Sequence, residues 1–397
     1  SLRPYYGRVA ATWQQRSECA WSLRSDGGSF ALTTSGAVHW LEDQTSVAVS
    51  AGETFWIALG VDGDSSTTTD IEALLNTTID YWRRWISHRC PDDRRAHSTW
   101  RQQLVRSDLL MALLQSTRTG AITGAATSSI PPTLYSQRAN DGRHQDVFAC
   151  SLYVEALLGF GHQEAALRYV LQVIAQMSPP NTPAAEACEI TLEHLSGYRG
   201  TPAVVRTHAT PQCNYTTVGF ILDSVLQLSR YGVAIERSLW EKLQPLIDLA
   251  AQTWPHPDSG YATSSLGPQH FTLSKLLWWM ALDRGVKLAQ RYGFPGDVDW
   301  WKEQREALRD TIITKSYRAD KGLFAAHPDS DDIDPALLLL PITGFLPVDD
   351  PRVKRTLAAI EVVVGSAQDN RDGKHTRGES PDHLFKNKIE QSPKNFS

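Results

Sequence analysis

Hydrophobic and polar positions change their spacing once along the chain, near residue 70. Before that point short apolar stretches, such as 28–33 and 54–59, are separated by Gly and Asp turn residues, which is typical of antiparallel β-strands. From there on, beginning with 70–85, the apolar positions recur about every 3.6 residues and fall on one helix face. The pattern predicts a small β unit over 1–66 and a helix within 67–97.

Helical periodicity continues over most of the remaining chain. It predicts helices at about 98–117, 146–159, 163–177, 216–231, 237–253, 270–292, 298–314, 334–341 and 350–364. Gly, Pro and Asp separate these segments, which favours antiparallel helix pairs with longer loops at one end, as in an α/α toroid over 98–364. Residues 365–397 are polar and rich in Asp, Lys, Asn and Ser, and we expect a disordered tail there.

Composition and charge argue against several classes of function. The net charge of −5 provides no broad basic field for nucleic acid. No apolar run approaches the roughly 18 residues of a membrane span, so we expect no membrane association and a cytoplasmic location. The five cysteines are odd in number and lack close spacing, which argues against a zinc site or a disulfide framework. Among the 13 tryptophans, those at helical spacing, such as Trp278 and Trp279, are predicted to be core residues rather than sugar platforms.

Six short strings, in a fixed order, carry a resemblance to a known family. They are YWRRW at 81–85, TGAITGAATSSIP at 119–131, HLSGYRG at 194–200, GPQHFTLSKL at 267–276, ALDR at 281–284 and DPALLLLPITGFLP at 334–347. Together they resemble glycoside hydrolase family 15 in its bacterial-type glucoamylase and trehalase branch, over about residues 70 to 362. The resemblance is specific because the strings occur jointly and in the family's order.

The resemblance implies a mainly α fold, an (α/α)6 toroid that follows a β-sandwich and a linker helix. In this chain 1–66 is then a partial antiparallel sandwich, 67–97 the linker helix, 98–364 the toroid, complete or incomplete, and 365–397 the tail. The implied activity is inverting hydrolysis of α-glucosides or oligosaccharides from the non-reducing end, with no metal or organic cofactor. Such enzymes use a carboxylic acid and a carboxylate base about 6.5 to 9.5 Å apart. The oligomeric state is not indicated.

Two family motifs for sugar binding are retained only in part. The Trp-Asp-Tyr-Arg motif falls on Asn-Asp-Gly-Arg here, so Asp141 and Arg143 are substrate-binding candidates, or else solvated loop or helix-capping residues. The Arg-Asp pair that follows in the family is missing, although a small shift of alignment makes Asp146 a catalytic candidate. In the second motif Gln212, a further substrate-binding candidate, and Gly219 are kept, whereas both acidic members are replaced.

The expected acid and base are both missing from their usual places. The family's general acid lies in a Trp-Glu pair before the His-Phe of the next helix, and counting back from His270 gives Ala262 and Thr263. A threonine hydroxyl does not titrate near neutral pH and cannot protonate a leaving group as a carboxylic acid does. Asp258 is the only acid in the same loop and is the remaining catalytic candidate, with a turn residue as the alternative. The family's late Gly-Glu-Gly motif is echoed only at Glu379, a third candidate.

His270 and Lys275 match their family motif and are candidates for the rim of a sugar site, although a helix presents such residues to neighbouring loops or water as often as to a ligand.

Three hypotheses of function follow. The first hypothesis is an α-glucoside hydrolase of glucoamylase or trehalase type, impaired by the loss of its acid. The alternative is a non-catalytic sugar-binding or scaffold protein. A different reaction on a non-sugar substrate is the third, because fold does not fix function.

Overall fold

The structure is a computed structural model that describes residues 12–25, 28–36, 38, 40–41, 44–45, 47–61, 71–87, 100–124, 150–176, 187–196, 202–208, 217–258, 260 and 268–371. The chain divides into two compact units. The first comprises residues 1–112, 125–143 and 187–209, and the second comprises 113–124, 144–186 and 210–397.

The first unit contains an antiparallel sheet of four strands, which are β1 (Thr12–Ser17), β2 (Ala20–Ser25), β3 (Gly28–Thr34) and β6 (Ile57–Val61). The strand order is β1-β2-β3-β6. Between β3 and β6 in the chain, β4 (Trp40–Leu41) pairs with β5 (Gln44–Thr45). On the central strand β2, Trp21 and Leu23 lie two residues apart on one face and are buried. The alternating pattern of this part of the chain therefore predicted antiparallel strands correctly.

Two helices and a hairpin follow in the chain. The helices are α1 (Ile71–Ser87) and α2 (Arg101–Leu114), and the indole Nε1 of Trp85 in α1 donates to Oδ1 of the buried Asp108 in α2 at 2.7 Å. The hairpin pairs β7 (Ala187–Ser196) with β8 (Pro202–His208). It was not predicted, although alternation of apolar and polar residues at 188–192 is a strand signal.

The second unit is built from consecutive helix pairs joined by short turns. Its longer helices are α3 (Cys150–Gly159), α4 (Gln163–Gln176), α5 (Val218–Arg230), α6 (Arg237–Thr253), α7 (Thr272–Tyr292), α8 (Val298–Thr311) and α10 (Pro351–Arg371). Each short turn makes neighbours of two successive helices, and alternate helices also touch, since α5 packs against both α3 and α7. The unit is therefore layered, as the loop pattern predicted.

Burial separates the layers. Helices α5 and α7 are buried over most of their length, whereas α8 buries only Trp301 and Leu308. The closest approach is at Gly219 in α5, where a β-carbon would lie 2.4 Å from the carbonyl oxygen of Leu277 in α7. The tryptophans of α7, Trp278 and Trp279, are buried in this layer, which agrees with their predicted core role.

The chain after α8 changes helix type and then returns to the core. A π-helical turn (Ile312–Ser316) extends α8 and leads into the hairpin β9 (Tyr317–Arg318) and β10 (Leu323–Phe324). A 3-10 turn (Pro335–Leu338) precedes α9 (Leu339–Ile342), where one continuous helix was predicted.

Helix α10 continues to Arg371, past the predicted end at 364. The apolar stripe stops before the helix does, because periodicity reports which face is buried rather than whether the backbone is helical. The rest of the predicted tail, 372–397, lies outside the described residues. Within the described part of the chain, no helix combines the length and apolar character needed to cross a bilayer.

Candidate active site

Two residues that pair with each other bracket the segment in which the family's general acid is expected. Asp258, shortly after α6, and Gln269, shortly before α7, form an antiparallel bridge. The amide of Asp258 donates to the carbonyl of Gln269 at 2.9 Å, and the amide of Gln269 donates to the carbonyl of Asp258 at 2.8 Å. Both ends of residues 259–268 are therefore fixed beside the first turn of α7. We call the bridge, together with the side chains of Ser274 and Lys275 that contact Asp258, the neck.

The carboxylate of Asp258 holds the neck from within. Its Oδ1 accepts a hydrogen bond from the Ser274 hydroxyl at 2.7 Å and another from the amide of Gly260 at 2.8 Å. Its Oδ2 lies 3.7 Å from the ammonium of Lys275. The carboxylate is therefore held by two hydrogen bonds and lies opposite a cation. These contacts suit a group that anchors the loop better than a proton donor.

Lys275 closes the neck from the side of α7. Its side chain is only 4% exposed, and its ammonium donates to the carbonyls of Trp254 at 2.8 Å and His256 at 2.5 Å. Burial lowers the pKa of Lys275, and the charge and hydrogen bonding of Asp258 oppose that shift. The first turn of α7 thus reaches back to the end of α6 through a buried cation.

The start of α7 is anchored on its other side as well. The backbone amide and the hydroxyl of Thr272 donate to the carbonyls of Ala326 at 2.8 Å and Ala325 at 2.7 Å. Gly260 has a positive φ of 70°, and a β-carbon there would lie 3.0 Å from the ring of Phe271. Only glycine combines that backbone conformation with such a close ring contact without strain.

A cleft of about 200 Å³ opens beside the neck. Its walls include Trp254 and Pro255 after α6, His270 and Lys275 near the start of α7, and Lys315 and Ser316 in the π-helical turn. The side chain of His270 is exposed. The pKa of His270 is lowered by the partial burial of its ring and, to a smaller extent, by the positive charges of Lys275 and Lys315. A neutral imidazole can both donate to and accept from a hydroxyl group.

The structure brings part of the predicted site together. His270 and Lys275 line the same cleft, and Asp258 lies against Lys275. The other predicted residues lie outside the described part of the chain: Asp141, Arg143, Asp146, Gln212, Thr263 and Glu379. Their roles stay predictions, as do those of His270, Lys275 and Asp258.

Sequence reasoning missed the partners that make the neck. Ser274 stands in the string GPQHFTLSKL, but its bond to Asp258 depends on the return of the loop, which residue types alone do not show. The carbonyls of Trp254 and His256 carry no sequence signal at all, because every residue has such a group.

Further along α7, Asp283 belongs to a buried charge cluster. Its Oδ2 accepts from Arg284 Nη1 and from Lys287 Nζ, each at 2.6 Å, and its Oδ1 accepts from Arg305 Nη1 at 3.3 Å. Arg284 Nε also donates to Asp223 of α5 at 2.7 Å. Asp283 is 6% exposed and Arg284 is 7% exposed. The cluster therefore joins α5, α7 and α8 in the interior.

Comparison with known proteins places the chain. Residues 162–380, more than half of its length, match the model of the Glycosyl hydrolases family 15. The chain belongs to glycosyl hydrolase family 15. The resemblance stated from the six strings is confirmed.

Trehalases are among the relatives of this family 15 protein. That of Mycobacterium tuberculosis is 28% identical over 381 residues, which cover 89% of this chain and 55% of the relative. That of Thermoplasma volcanium is 25% identical over 304 residues, which cover 74% of this chain and 48% of the relative. The chain thus spans about half the length of the curated relatives it matches.

A solved structure supports the fold. A bacterial glucoamylase complexed with acarbose matches with a TM-score of 0.59 at 14% identity, over 86% of this chain and 57% of that chain. Together with the helical layers described above, this match confirms the predicted mainly α fold class of the (α/α)6 type. At this identity the likeness speaks for the fold alone.

Proposed function

We propose that this family 15 protein acts on α-glucosides, with trehalose as the first substrate to test. The observation that supports the proposal best is the match to trehalases along 89% of the chain. The neck adds a structural reason, because it holds both ends of the segment in which the family's acid is expected. The cleft beside it carries His270, whose neutral ring can hydrogen-bond a sugar hydroxyl.

The proposed reaction is inverting hydrolysis. A water molecule attacks the anomeric carbon while a carboxylate base takes its proton, the glycosidic bond breaks, and an acid protonates the leaving oxygen. The products from trehalose are one β-glucose and one α-glucose. Asp141, Arg143, Gln212 and His270 are proposed to hold the sugar. Asp146, Asp258 and Glu379 are the catalytic carboxylates proposed from the sequence.

One observation favours a second function, the binding of a sugar without hydrolysis. The family's acid is expected at the position of Thr263, and Asp258, the one acidic side chain of the loop, is already hydrogen-bonded to Ser274 and Gly260. The loss of one member of an acid and base pair lowers a rate by about 10²- to 10⁴-fold. A protein with the family's fold and an intact pocket would then bind an α-glucoside and turn it over slowly or not at all.

Two assays separate these functions. The chain is incubated with trehalose, maltotriose and α-glucosyl fluoride, and the anomer released first is identified by proton NMR. Because fluoride leaves without being protonated, release from the fluoride alone would mean that the acid is missing while the rest of the site works. No β-glucose from any of the three would refute hydrolysis. Calorimetric titration with trehalose and acarbose then tests binding, and no heat with either would refute the second function.

A matched pair of variants tests the role of position 263. Thr263→Glu should raise trehalose hydrolysis by at least about 10²-fold, because it supplies the carboxylic acid that the family uses at this position. Thr263→Gln introduces a side chain of nearly the same shape as glutamate but without a titratable proton, so it should leave the rate unchanged. Equal rates for the two variants would refute the assignment of this position to the acid. The measurement is the initial rate of glucose release at saturating trehalose.

A further inference from the structure

We infer that Lys275 is a positioning residue that fixes the neck of the segment 259–268, rather than a ligand of the sugar. The inference rests on the proposed function only where it concerns reaction rates. Its structural part concerns three contacts of one buried ammonium, with the carbonyls of Trp254 and His256 and with the carboxylate of Asp258.

The donor count of the ammonium supports this role. A lysine ammonium has three N–H groups and accepts no hydrogen bond. Two of them donate to the carbonyls of Trp254 and His256, and the third has Asp258 Oδ2 as its nearest anionic neighbour, 3.7 Å away. A sugar hydroxyl would have to compete with two carbonyls and a carboxylate for this ammonium. The side chain is also only 4% exposed, so a ligand in the cleft meets its stem more readily than its charge.

The position of Lys275 explains why it can act on the neck. It lies in the first turn of the long buried helix α7, next to Ser274, which bonds the same carboxylate. The two residues therefore hold Asp258 against a rigid helix, and Asp258 in turn is one half of the backbone bridge with Gln269. Removing the ammonium leaves two carbonyls without this donor and Asp258 Oδ2 without its nearby positive charge. Buried acceptors that lose their donor are destabilised, so the neck should open more often.

Hydrogen exchange tests the structural part in the chain as it stands. In Lys275→Met the amides of Asp258, Gly260 and Gln269 should exchange at least about tenfold faster than in the unmodified protein. The matched control is Lys287→Met, the same substitution further along α7, at a side chain that is 45% exposed. It should leave the neck amides unchanged. Neck exchange within twofold of the unmodified protein in Lys275→Met, or equal acceleration in both variants, would overturn the inference.

Two further variants keep the test decisive if Lys275→Met does not fold. Asp258→Asn keeps the size and an acceptor for Ser274 but removes the charge opposite Lys275, so the same amides should exchange faster. Lys275→Arg keeps a positive donor and should restore at least part of the protection. If the neck amides of Asp258→Asn exchange as slowly as those of the unmodified protein, Lys275 and Asp258 do not hold the neck and the inference is wrong.

Kinetics test whether the neck serves the reaction. With trehalose as substrate, Lys275→Met should lower kcat at least about tenfold and leave KM within about threefold, because a positioning residue does not bind the substrate in the ground state. A raised KM with unchanged kcat would show direct binding and overturn the inference. Absence of turnover in the unmodified protein would refute the proposed hydrolysis, and the exchange result would still decide the role of Lys275.

Discussion

Removing the charge of Asp283 should destabilise the second unit more than most single substitutions do. Its carboxylate accepts from Arg284 and Lys287 at 2.6 Å and from Arg305 at 3.3 Å, and only 6% of the side chain is exposed. Breaking a buried ion pair by removing one partner costs about 3 to 5 kcal/mol. Arg284 retains Asp223 at 2.7 Å, which keeps one counter-charge beside it. We therefore expect Asp283→Asn to lower the free energy of unfolding by about 3 kcal/mol, at the lower end of that range.

Urea unfolding followed by tryptophan fluorescence and circular dichroism measures this loss through the midpoint and slope of the transition. The control is Asp299→Asn, since Asp299 also pairs with a lysine, Lys302 at 3.0 Å, but is 93% exposed. Exposed pairs contribute little, so this variant should unfold like the unmodified protein. Equal midpoints for the two variants would refute the view that buried charges hold α5, α7 and α8 together.

Two further predictions concern a close helix contact and a pH dependence. Gly219→Ala should destabilise the protein by about 1 to 3 kcal/mol, because the added carbon meets the Leu277 carbonyl at 2.4 Å, whereas Gly159→Ala, with open space around it, should be neutral or stabilising in the same urea assay. The lowered pKa of His270 means that the unfolded chain binds its proton first as the pH falls below 6.5. Stability should therefore decrease as the pH falls through 6.5 towards the folded pKa, and His270→Gln should flatten that slope. Identical slopes of stability against pH in His270→Gln and in the unmodified protein would contradict this prediction.

Helix bounds could be predicted closely where the sequence marks them with distinctive residues. Helix α6 was predicted at 237–253 and is observed at Arg237–Thr253. Helix α7 was predicted to end at 292 and ends at Tyr292, because Gly293 follows with a positive φ of 64° and stops the helix. Helix α8 begins after Asp297, whose side chain accepts from the amide of Trp300. Such signals are local, so a single sequence contains them.

Contacts between distant segments could not be predicted in the same way. The π-helical turn at Ile312–Ser316 has the residue types of an ordinary helix end, and its different hydrogen bonding leaves no mark on the apolar period. The hairpin of β7 and β8 lies between the predicted helices 163–177 and 216–231, in a stretch for which no element was predicted. Of the candidate site, the sequence indicated His270, Lys275 and Asp258 but not the bonds of the last two, because those depend on how the loop returns to α7.

Two of the strings that indicated the family, GPQHFTLSKL and ALDR, contain residues that hold the fold. In and around α7, Thr272 bonds backbone carbonyls, Ser274 and Lys275 hold Asp258, and Asp283 lies in the buried charge cluster. Each of these side chains has its partner within the chain itself, so the resemblance in GPQHFTLSKL and ALDR is evidence about packing. In the proposed hydrolysis the chemistry depends on a carboxyl group expected at a separate position, 263, and a threonine at that position is compatible with every contact named above. Family membership and catalytic competence are therefore separate questions for this chain, and only variants at position 263, compared at equal stability, connect them.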